Sequence, residues 1–342
     1  MKAITTSPVT RVLTCFAVLV MALASCWALD LSGAGATFPY PIYSKWFDVY
    51  GQKTNVRINY QSIGSGGGIK QLLAKTVDFG ASDAPLSDAE IQAMPAPVAH
   101  IPTVAGAVVM AYNLPGVGKG LRLTPEVIAG IFLGTITRWN DVHIASVNTN
   151  LHLPDMAITV AHRADGSGTT YIYTHYLSAV SSTWATKVGS GKSVNWPVGI
   201  GGKGNEGVAG VIKETPGGIG YVELAYAVQN QITYANIKNK SGSFIEPSIA
   251  STTAAAAGAV SAMKKDIRVS IVNAPGRFAY PIAGFTYILV YRTNTDAVKG
   301  NALKTFLGWA IHDGQQYTGS LLYASLPPAV VKMNEATINS LK

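Results

Sequence analysis

Residues 163–170 of this chain indicate its fold class, and they read Arg163-Ala164-Asp165-Gly166-Ser167-Gly168-Thr169-Thr170. The stretch follows a short apolar segment with strand character and precedes a helical stripe formed by Ile172, Tyr176 and Val180. Ser167 stands where the N-cap of that helix is expected, and the glycines allow other backbone to approach closely. A strand, a glycine-rich turn and a helix in this order are typical of α/β proteins.

The same alternation continues along the chain. Strand character is found at residues 57–60, 77–81, 104–111, 157–161 and 219–223. Apolar residues at helical spacing lie between these segments, for example Ile42 with Trp46 and Ile69 with Leu72. We therefore predict an α/β fold with mixed, mostly parallel sheets.

The length and composition favour two folded domains. The chain has 342 residues, of which 48% are hydrophobic and 13% charged, so a largely disordered chain is excluded. A single core stops growing at roughly 250–300 residues, and this chain exceeds that size. The turn-forming stretches 113–116 and 273–276 lie far apart in sequence, and we predict that they are the crossings between two lobes.

Residues 1–28 have the features of an export signal. Two basic residues precede an apolar run at 12–24, which is shorter than the roughly 20 residues that span a bilayer. Cleavage after Ala28 would remove both cysteines, Cys15 and Cys26, and leave a soluble periplasmic protein. The alternative is a lipid anchor at Cys26, because the four residues that end there also fit a lipoprotein signal.

Several functional classes find no support in the sequence. The formal net charge is +8, but the basic residues are scattered, so a nucleic-acid surface is not predicted. The six histidines form no metal-binding motif. The stretch 189–193 ends like a phosphate-binding P-loop, but Thr186 stands where its first glycine belongs. We therefore expect no cofactor and no metal.

Three segments combine glycine with a hydroxyl residue at the start of a helix. They are 33–39, 64–68 and 163–170, and a helix N-terminus attracts anions through its free N–H groups and partial positive charge. One such segment is ordinary helix capping, but three that meet at the ends of parallel strands predict an anion site. Arg163 would grip two oxygens of a tetrahedral anion, and Asp165 would hold the guanidinium in place.

Asp83 is an unexpected residue for an anion site. It follows a predicted strand, and its carboxylate would repel an anion unless the anion brings a proton to donate. Hydrogen phosphate carries such a proton at neutral pH, whereas sulfate does not. From the residues alone, a structural aspartate in the turn before Pro85 is an equally good interpretation.

Four motifs resemble those of the periplasmic phosphate-binding proteins of bacterial Pst-type ABC transporters. They are Gly33-Ala-Gly-Ala-Thr-Phe-Pro39, Ile63-Gly-Ser-Gly-Gly-Gly68, Val77-Asp-Phe-Gly-Ala-Ser-Asp-Ala-Pro-Leu-Ser87 and Arg163-Ala-Asp-Gly-Ser-Gly-Thr169. The similarity continues through 196–205, 218–223 and 323–327, so it covers nearly the whole chain after the export signal. The resemblance implies a two-lobed, venus-flytrap fold of periplasmic binding protein type II, with the ligand in the cleft between the lobes.

The resemblance also implies a ligand and its contacts. The expected phosphate-binding residues are Ala36, Thr37, Phe38, Ser65, Asp83, Arg163, Asp165, Ser167, Gly168 and Thr169. Among them, Ala36, Thr37 and Phe38 are expected to act as backbone donors. Lobe I is expected at residues 29–113 and 279–342, and lobe II at residues 114–278.

The partners implied are inorganic phosphate, the membrane permease subunits of the transporter and its cytoplasmic ATPase. The protein is expected to be a monomer and not an enzyme. The alternative is a secreted phosphatase or phosphoryl-transfer enzyme with the same anion cradle. Such an enzyme needs an activated nucleophile and usually a metal, and the sequence shows no histidine or carboxylate cluster to supply them.

Overall fold

The computed structural model describes residues 29–342, so the export signal predicted at residues 1–28 lies outside the described residues. The strands are β1 (Leu29–Gly35), β2 (Val56–Ser62), β3 (Phe79–Ser82), β4 (Val98–Asn113), β5 (Arg122–Leu123), β6 (Thr159–Arg163), β7 (Ile200–Gly202), β8 (Gly218–Glu223), β9 (Thr233–Tyr234), β10 (Asn236–Lys238), β11 (Phe244–Ile245) and β12 (Ala283–Tyr291).

The helices connect these strands and cover the sheets. They are α1 (Tyr40–Thr54), α2 (Ser65–Leu73), α3 (Asp88–Ala93), α4 (Pro125–Phe132), α5 (Val142–Ala145), α6 (Gly168–Val180), α7 (Ser182–Lys187), α8 (Gly204–Glu214), α9 (Leu224–Gln229), α10 (Ile249–Ala257), α11 (Val260–Met263), α12 (Ala297–Ile311) and α13 (Pro328–Asn339). Two 3₁₀ helices, Asp313–Tyr317 and Gly319–Leu321, lie between α12 and α13. Within residues 29–342, none of these helices is both long and apolar enough to cross a membrane.

One nine-stranded sheet runs through both halves of residues 29–342. Its order is β2-β1-β3-β12-β4-β8-β6-β7, and β9 pairs with β4 at one side. The outer strands pair in parallel, whereas β12 and β4 form antiparallel pairs in the middle. A second, three-stranded sheet has the order β11-β10-β5. The predicted α/β class with mixed sheets is confirmed.

Strand β4 joins the two halves of this sheet. It is 16 residues long and pairs with β12 as far as Ala107, and then with β8 from Val108 onward. The chain returns beside it, because the Val108 N–H donates to the carbonyl of Ile282 at 2.8 Å just before β12 begins. We call the half that contains β1, β2, β3 and β12 lobe I, and the half that contains β6, β7 and β8 lobe II.

In both lobes, the carboxyl ends of the strands lie toward the other lobe. β1, β2 and β3 run in the same direction as β4, because β12 is antiparallel to both β3 and β4. β8, β6 and β7 run against β4. Since β4 leaves lobe I and enters lobe II, the strands of each lobe end at the boundary between them. The loops and helix N-termini that follow these strands therefore face one cleft.

Aromatic side chains fill the core of each lobe. In lobe I, the buried rings of Tyr43 and Trp46 stack with their centroids 5.6 Å apart. In lobe II, Tyr221 stacks on Tyr173 at 4.4 Å, and Trp196 packs on Tyr221 at 5.6 Å. Each such pair contributes about 0.5–1.5 kcal/mol beyond the burial of its surface. The packed cores fix the positions of the strand ends that form the cleft.

Candidate anion-binding site between the lobes

Arg163 ends β6 and is paired with Asp165 inside the cleft. The Arg163 Nε and Nη2 atoms donate to the two carboxylate oxygens of Asp165 at 2.7 and 2.5 Å. Only 1% of the Arg163 side chain and 14% of the Asp165 side chain are exposed. Burial opposes ionisation of Asp165, but the guanidinium outweighs it and lowers the pKa of that carboxyl. The remaining Arg163 Nη1 lies 3.4 Å from Thr169 Oγ1, at the start of α6.

The N-terminus of α6 points across the cleft. Ser167 caps the helix by accepting the backbone N–H of Thr170 at 3.0 Å. The Ser167 N–H donates to the carbonyl of Lys192 at 2.8 Å, which fixes the loop from the side of lobe II. The Gly168 N–H donates to Ser65 Oγ at 3.1 Å, and Ser65 begins α2 in lobe I. Two of the predicted anion loops therefore meet directly.

Thr37 lies in the loop between β1 and α1 and is connected to lobe II through Asn205. The Thr37 Oγ1 atom accepts from the Asn205 side-chain amide at 2.7 Å and from its backbone N–H at 3.2 Å. The same amide donates to Thr169 Oγ1 at 3.1 Å. The Asn205 Oδ1 atom is held by the Glu223 N–H at 2.9 Å. Asn205, at the start of α8, thus connects the anion loops of both lobes.

The expectation that Ala36 acts as a backbone donor is wrong. The Ala36 N–H donates to the carbonyl of Ala81 at 2.9 Å, as a continuation of the pairing between β1 and β3. It has no second proton to offer, so Ala36 can contribute only its small apolar side chain. The neighbouring Phe38 is fully buried, and its carbonyl accepts the hydroxyl of Tyr323 at 2.7 Å.

Asp83 directly follows β3 and is buried in the cleft, with 3% of its surface exposed. Burial raises the pKa of Asp83 to about 7, although a hydrogen bond from Thr286 and the positive charge of Arg163 both favour its ionised form. Thr286 Oγ1 donates to Asp83 Oδ1 at 2.8 Å, and the Asp83 N–H donates to Ser65 Oγ at 3.3 Å. Near neutral pH this carboxyl can therefore take up or release one proton toward a ligand.

Glycines allow the two lobes to approach this closely. A Cβ atom on Gly168 would lie 2.5 Å from both Asp83 Oδ2 and Ser65 Oγ, so a side chain would separate the lobes. The Gly66 N–H donates to the carbonyl of Gly166 at 2.8 Å, again from one lobe to the other. The expected site residues of lobe I and lobe II therefore surround one buried cleft.

The sequence matches known proteins over most of its length. A family model described as a PBP superfamily domain matches residues 22–313. The phosphate-binding protein PstS of Xylella fastidiosa strain 9a5c is 47% identical over 310 residues, which cover 90% of this chain and 85% of that protein. PstS of Pasteurella multocida strain Pm70 is 46% identical, with 90% of each chain covered. The chain belongs to the PstS family of phosphate-binding proteins.

The fold is also found in solved structures. A solved phosphate-binding protein from Stenotrophomonas maltophilia superposes with a TM-score of 0.69 at 22% identity. The match covers 90% of this chain and 93% of that protein. At this identity the likeness concerns the fold alone, and it confirms the two-lobed periplasmic-binding-protein fold predicted from the sequence.

Three residues around the PstS-family site were not predicted. Asn205 connects Thr37 with Thr169, Thr286 on β12 donates to Asp83, and the hydroxyl of Tyr226 donates to the carbonyl of Thr37 at 2.6 Å. Each of them acts through a residue that is distant in sequence. No local motif identifies such a role, although segment 196–205 does belong to the resemblance on which the family was predicted.

Proposed function

We propose that this chain binds inorganic phosphate between its lobes and delivers it to an ABC transporter for import. The observation that carries the proposal is the convergence of the anion loops, in which Gly168 of lobe II donates to Ser65 of lobe I beside Asp83. The names of the PstS relatives support phosphate as the ligand of such a site.

Donors from both lobes surround the ligand. Thr37, Phe38 and Ser65 contribute N–H or hydroxyl groups from lobe I, and the α6 loop contributes the Ser167 hydroxyl and the N–H and hydroxyl of Thr169 from lobe II. The Gly168 N–H, which Ser65 accepts in this structure, lies beside them. Arg163 supplies the positive charge, and Asp165 keeps its guanidinium in one orientation. A bound anion thus completes hydrogen bonds that neither lobe can provide alone.

Asp83 provides the selectivity for phosphate. Its carboxylate accepts the proton of hydrogen phosphate, and this acceptor is already buried and oriented by Thr286. Sulfate has no proton at neutral pH, so two acceptors would face each other in a buried site. An unpaired buried polar group of this kind can produce discrimination of about 10⁴-fold between similar ligands.

Binding and release follow from movement of the lobes. The pairing of β4 supports a lobe division close to Ala107 and Val108, with the return crossing at Ile282. The predicted limits at 113 and 279 therefore fall a few residues from these crossings. Ligand contacts made by both lobes favour the closed form. The closed protein, a monomer in the periplasm, docks on the permease subunits, and their cytoplasmic ATPase drives import.

Calorimetric titration of residues 29–342, freed of bound anion, tests this function. Phosphate is expected to bind with one site per chain, and sulfate to bind weakly or not at all. Absence of phosphate binding would overturn the function. Equal binding of both anions would retain the anion site and remove Asp83 as its selectivity element.

Arg163 and Arg57 form a matched pair of variants for the same titration. Both are in bidentate pairs with an aspartate, but Arg57 and Asp30 are exposed and far from the cleft. Arg163→Ala removes the positive charge from the cleft and leaves the Asp165 carboxylate without its partner, so phosphate affinity should fall by about a hundredfold or more. Arg57→Ala should leave it unchanged. Equal effects of the two substitutions would remove Arg163 from the site.

A further inference from the structure

Glu223 is a fully buried carboxyl at the junction of the lobes. It ends β8, opposite Val108 of β4, where the sheet passes from one lobe to the other. Its Oε2 atom accepts the Ala225 N–H at 2.8 Å and lies 3.1 Å from the hydroxyl of Tyr323 in lobe I. Its Oε1 atom has no hydrogen-bond partner among residues 29–342. The phosphate contacts proposed above make no use of this carboxyl.

The hydroxyl of Tyr323 has one proton but two oxygen neighbours, the Phe38 carbonyl and Glu223 Oε2. The hydroxyl lies 2.7 Å from the carbonyl oxygen of Phe38, which can only accept. The proton of Tyr323 therefore goes to Phe38. The contact between Tyr323 and Glu223 needs a second proton, because two oxygen atoms at hydrogen-bonding distance repel unless a hydrogen lies between them. The carboxyl of Glu223 is the group that can supply it.

The surroundings of Glu223 favour its neutral form. Burial raises the pKa of this carboxyl well above its usual value, and the nearby Asp83 raises it further. The Ala225 N–H, which donates to Oε2, acts in the opposite direction without cancelling the effect. The other titratable neighbour, Tyr226, is also kept neutral, since burial raises its pKa. An ionised Glu223 would bury a negative Oε1 with no donor, which is strongly unfavourable.

We propose that Glu223 is a protonated positioning residue, which donates to Tyr323 and through it holds the Phe38 carbonyl. Tyr226 holds the adjacent Thr37 carbonyl from lobe II at 2.6 Å. The peptide groups on both sides of Phe38 are then fixed, and the Phe38 N–H, which shares its plane with the Thr37 carbonyl, is held toward the anion, so less order must be gained on binding. The positioning role rests on the proposed phosphate function, whereas the protonation of Glu223 does not.

Infrared spectroscopy tests the protonation directly. A protonated carboxylic acid has a carbonyl stretching band that a carboxylate lacks. The comparison is made at neutral pH between Asp83→Asn and the double variant Asp83→Asn/Glu223→Gln, because Asp83 could contribute a band of its own. The band is expected in the single variant and absent from the double variant. A missing band in the single variant, or its persistence in the double variant, would overturn the assignment.

Phosphate titrations test the positioning role. Glu223→Gln cannot replace the acid, because an amide group at the Oε2 position either donates to Tyr323 or accepts the Ala225 N–H but not both, so the Kd should rise about tenfold. Tyr323→Phe leaves the Phe38 carbonyl without its donor, and the Kd should rise about tenfold. Tyr291→Phe is the matched control, since that hydroxyl donates to the Leu72 carbonyl at the same 2.7 Å, away from the cleft.

Three outcomes separate the possibilities. An unchanged Kd in Glu223→Gln would show that the carboxyl does not act through Tyr323, and would overturn the positioning role. An unchanged Kd in Tyr323→Phe would do the same. If the native chain binds no phosphate while the Glu223-dependent band is present, the proposed function fails and the protonation of Glu223 stands.

Discussion

Two aspartates in the cleft have opposite protonation behaviour. Asp165 is kept ionised because Arg163 contacts both of its oxygens, whereas the Asp83 carboxylate accepts one hydroxyl, that of Thr286, and the Asp83 backbone N–H donates to Ser65 Oγ. Burial therefore has different results at the two carboxyls. At Asp165 the guanidinium outweighs it and the pKa is lowered, whereas at Asp83 burial raises the pKa to about 7. The first aspartate orients a cation, and the second is suited to exchange a proton with a ligand.

Asp83→Asn is predicted to change the selectivity of the site more than its affinity for anions. The amide can donate a hydrogen bond to sulfate, so sulfate should compete with phosphate far better in this variant than in the native chain. Asp78→Asn is the control, because Asp78 lies just before the same strand and is bound by Ser32 and Lys299 instead. Competition calorimetry measures the ratio of the phosphate and sulfate affinities. An unchanged ratio in Asp83→Asn would contradict the proton-acceptor role.

Asp83 also makes stability depend on pH in a defined direction. Its pKa is 3.8 as a free group and about 7 in the folded chain, so between these values the folded state holds the proton more tightly. The stabilisation is present at low pH and is lost as the pH rises through 7. Relative to the native chain, the unfolding free energy of Asp83→Asn should increase by at most roughly 4 kcal/mol between about pH 4 and pH 8.

Urea unfolding in phosphate-free buffer at several pH values measures this difference. Burial lowers the pKa of His100 to about 4, so His100 contributes to the pH dependence of stability in the opposite direction. This contribution is the same in the native chain and in Asp83→Asn, and it is removed when their unfolding free energies are subtracted. A difference that does not change with pH would mean that Asp83 titrates normally in the folded chain.

The sequence identified the charged and hydroxyl residues of the site but not how they are held. Arg163 with Asp165 could be predicted because the two residues are neighbours in one loop. The role of Asn205 could not, since it depends on Thr37, which lies 168 positions away. The wrong expectation for Ala36 has a similar cause. Whether an N–H is free depends on the pairing of β1 with β3, which the local motif does not contain.

Among the elements, the helix N-termini at the cleft depend on the absence of side chains. Gly168 is the first residue of α6, and the space where a Cβ would lie is occupied by Asp83 and Ser65 of the other lobe. The obstacle is therefore between the lobes rather than within α6. A substitution there is expected to affect closure and leave the folding of each lobe intact.

Gly168→Ala is accordingly predicted to weaken phosphate binding by at least about tenfold, because the added methyl group holds the lobes apart. Its melting temperature without ligand should stay close to the native value. Gly210→Ala in α8 is the matched control, since a Cβ there meets no atom within 4 Å and alanine favours a helix. Calorimetric titration measures the phosphate affinity of both variants, and thermal unfolding measures their melting temperatures. Native affinity in Gly168→Ala would argue against direct lobe contact at this residue.

Helices that follow glycine-rich turns were easier to predict than the buried strand β12. The starts of α2 and α6 are marked by Gly and Ser, and both helices are found. Strand β12 was not predicted, although it lies in the middle of the sheet. Nearly all its residues are buried, so it lacks the alternation of polar and apolar residues by which a half-exposed strand is recognised.

For the molecule as a whole, an ion pair closes the outer edge of the cleft. Lys192 Nζ of lobe II lies 2.7 Å from Glu90 Oε1 of lobe I, with 24% and 29% of the two side chains exposed. The Lys192 carbonyl also fixes Ser167 in the anion loop. The stretch 189–193 lacks the spacing of a P-loop, but its residue Lys192 has two roles here. The Lys192 backbone supports the anion loop, and the Lys192 side chain spans the cleft.

Lys192→Met should speed phosphate release about two- to fivefold, because a partly exposed pair contributes about 0.2–1 kcal/mol. In the native chain, added salt should also speed release, and in the variant this effect should be smaller. Lys299→Met is the control, since Lys299 pairs with Asp78 inside lobe I. Stopped-flow release measured at low and high ionic strength tests both expectations. Identical rates for the native chain and Lys192→Met would exclude a role of the pair in closure.

The position of β12 has a consequence for how the protein is made. This strand lies between β3 and β4, although the whole of lobe II is encoded between β4 and β12. If folding starts from the N-terminus, β1 to β4 have a gap in their sheet until residues 283–291 are added between β3 and β4. Lobe II, whose strands β6 to β8 are close in sequence, can fold earlier. Lobe I is completed last, and its long-range pairings make that final step slow.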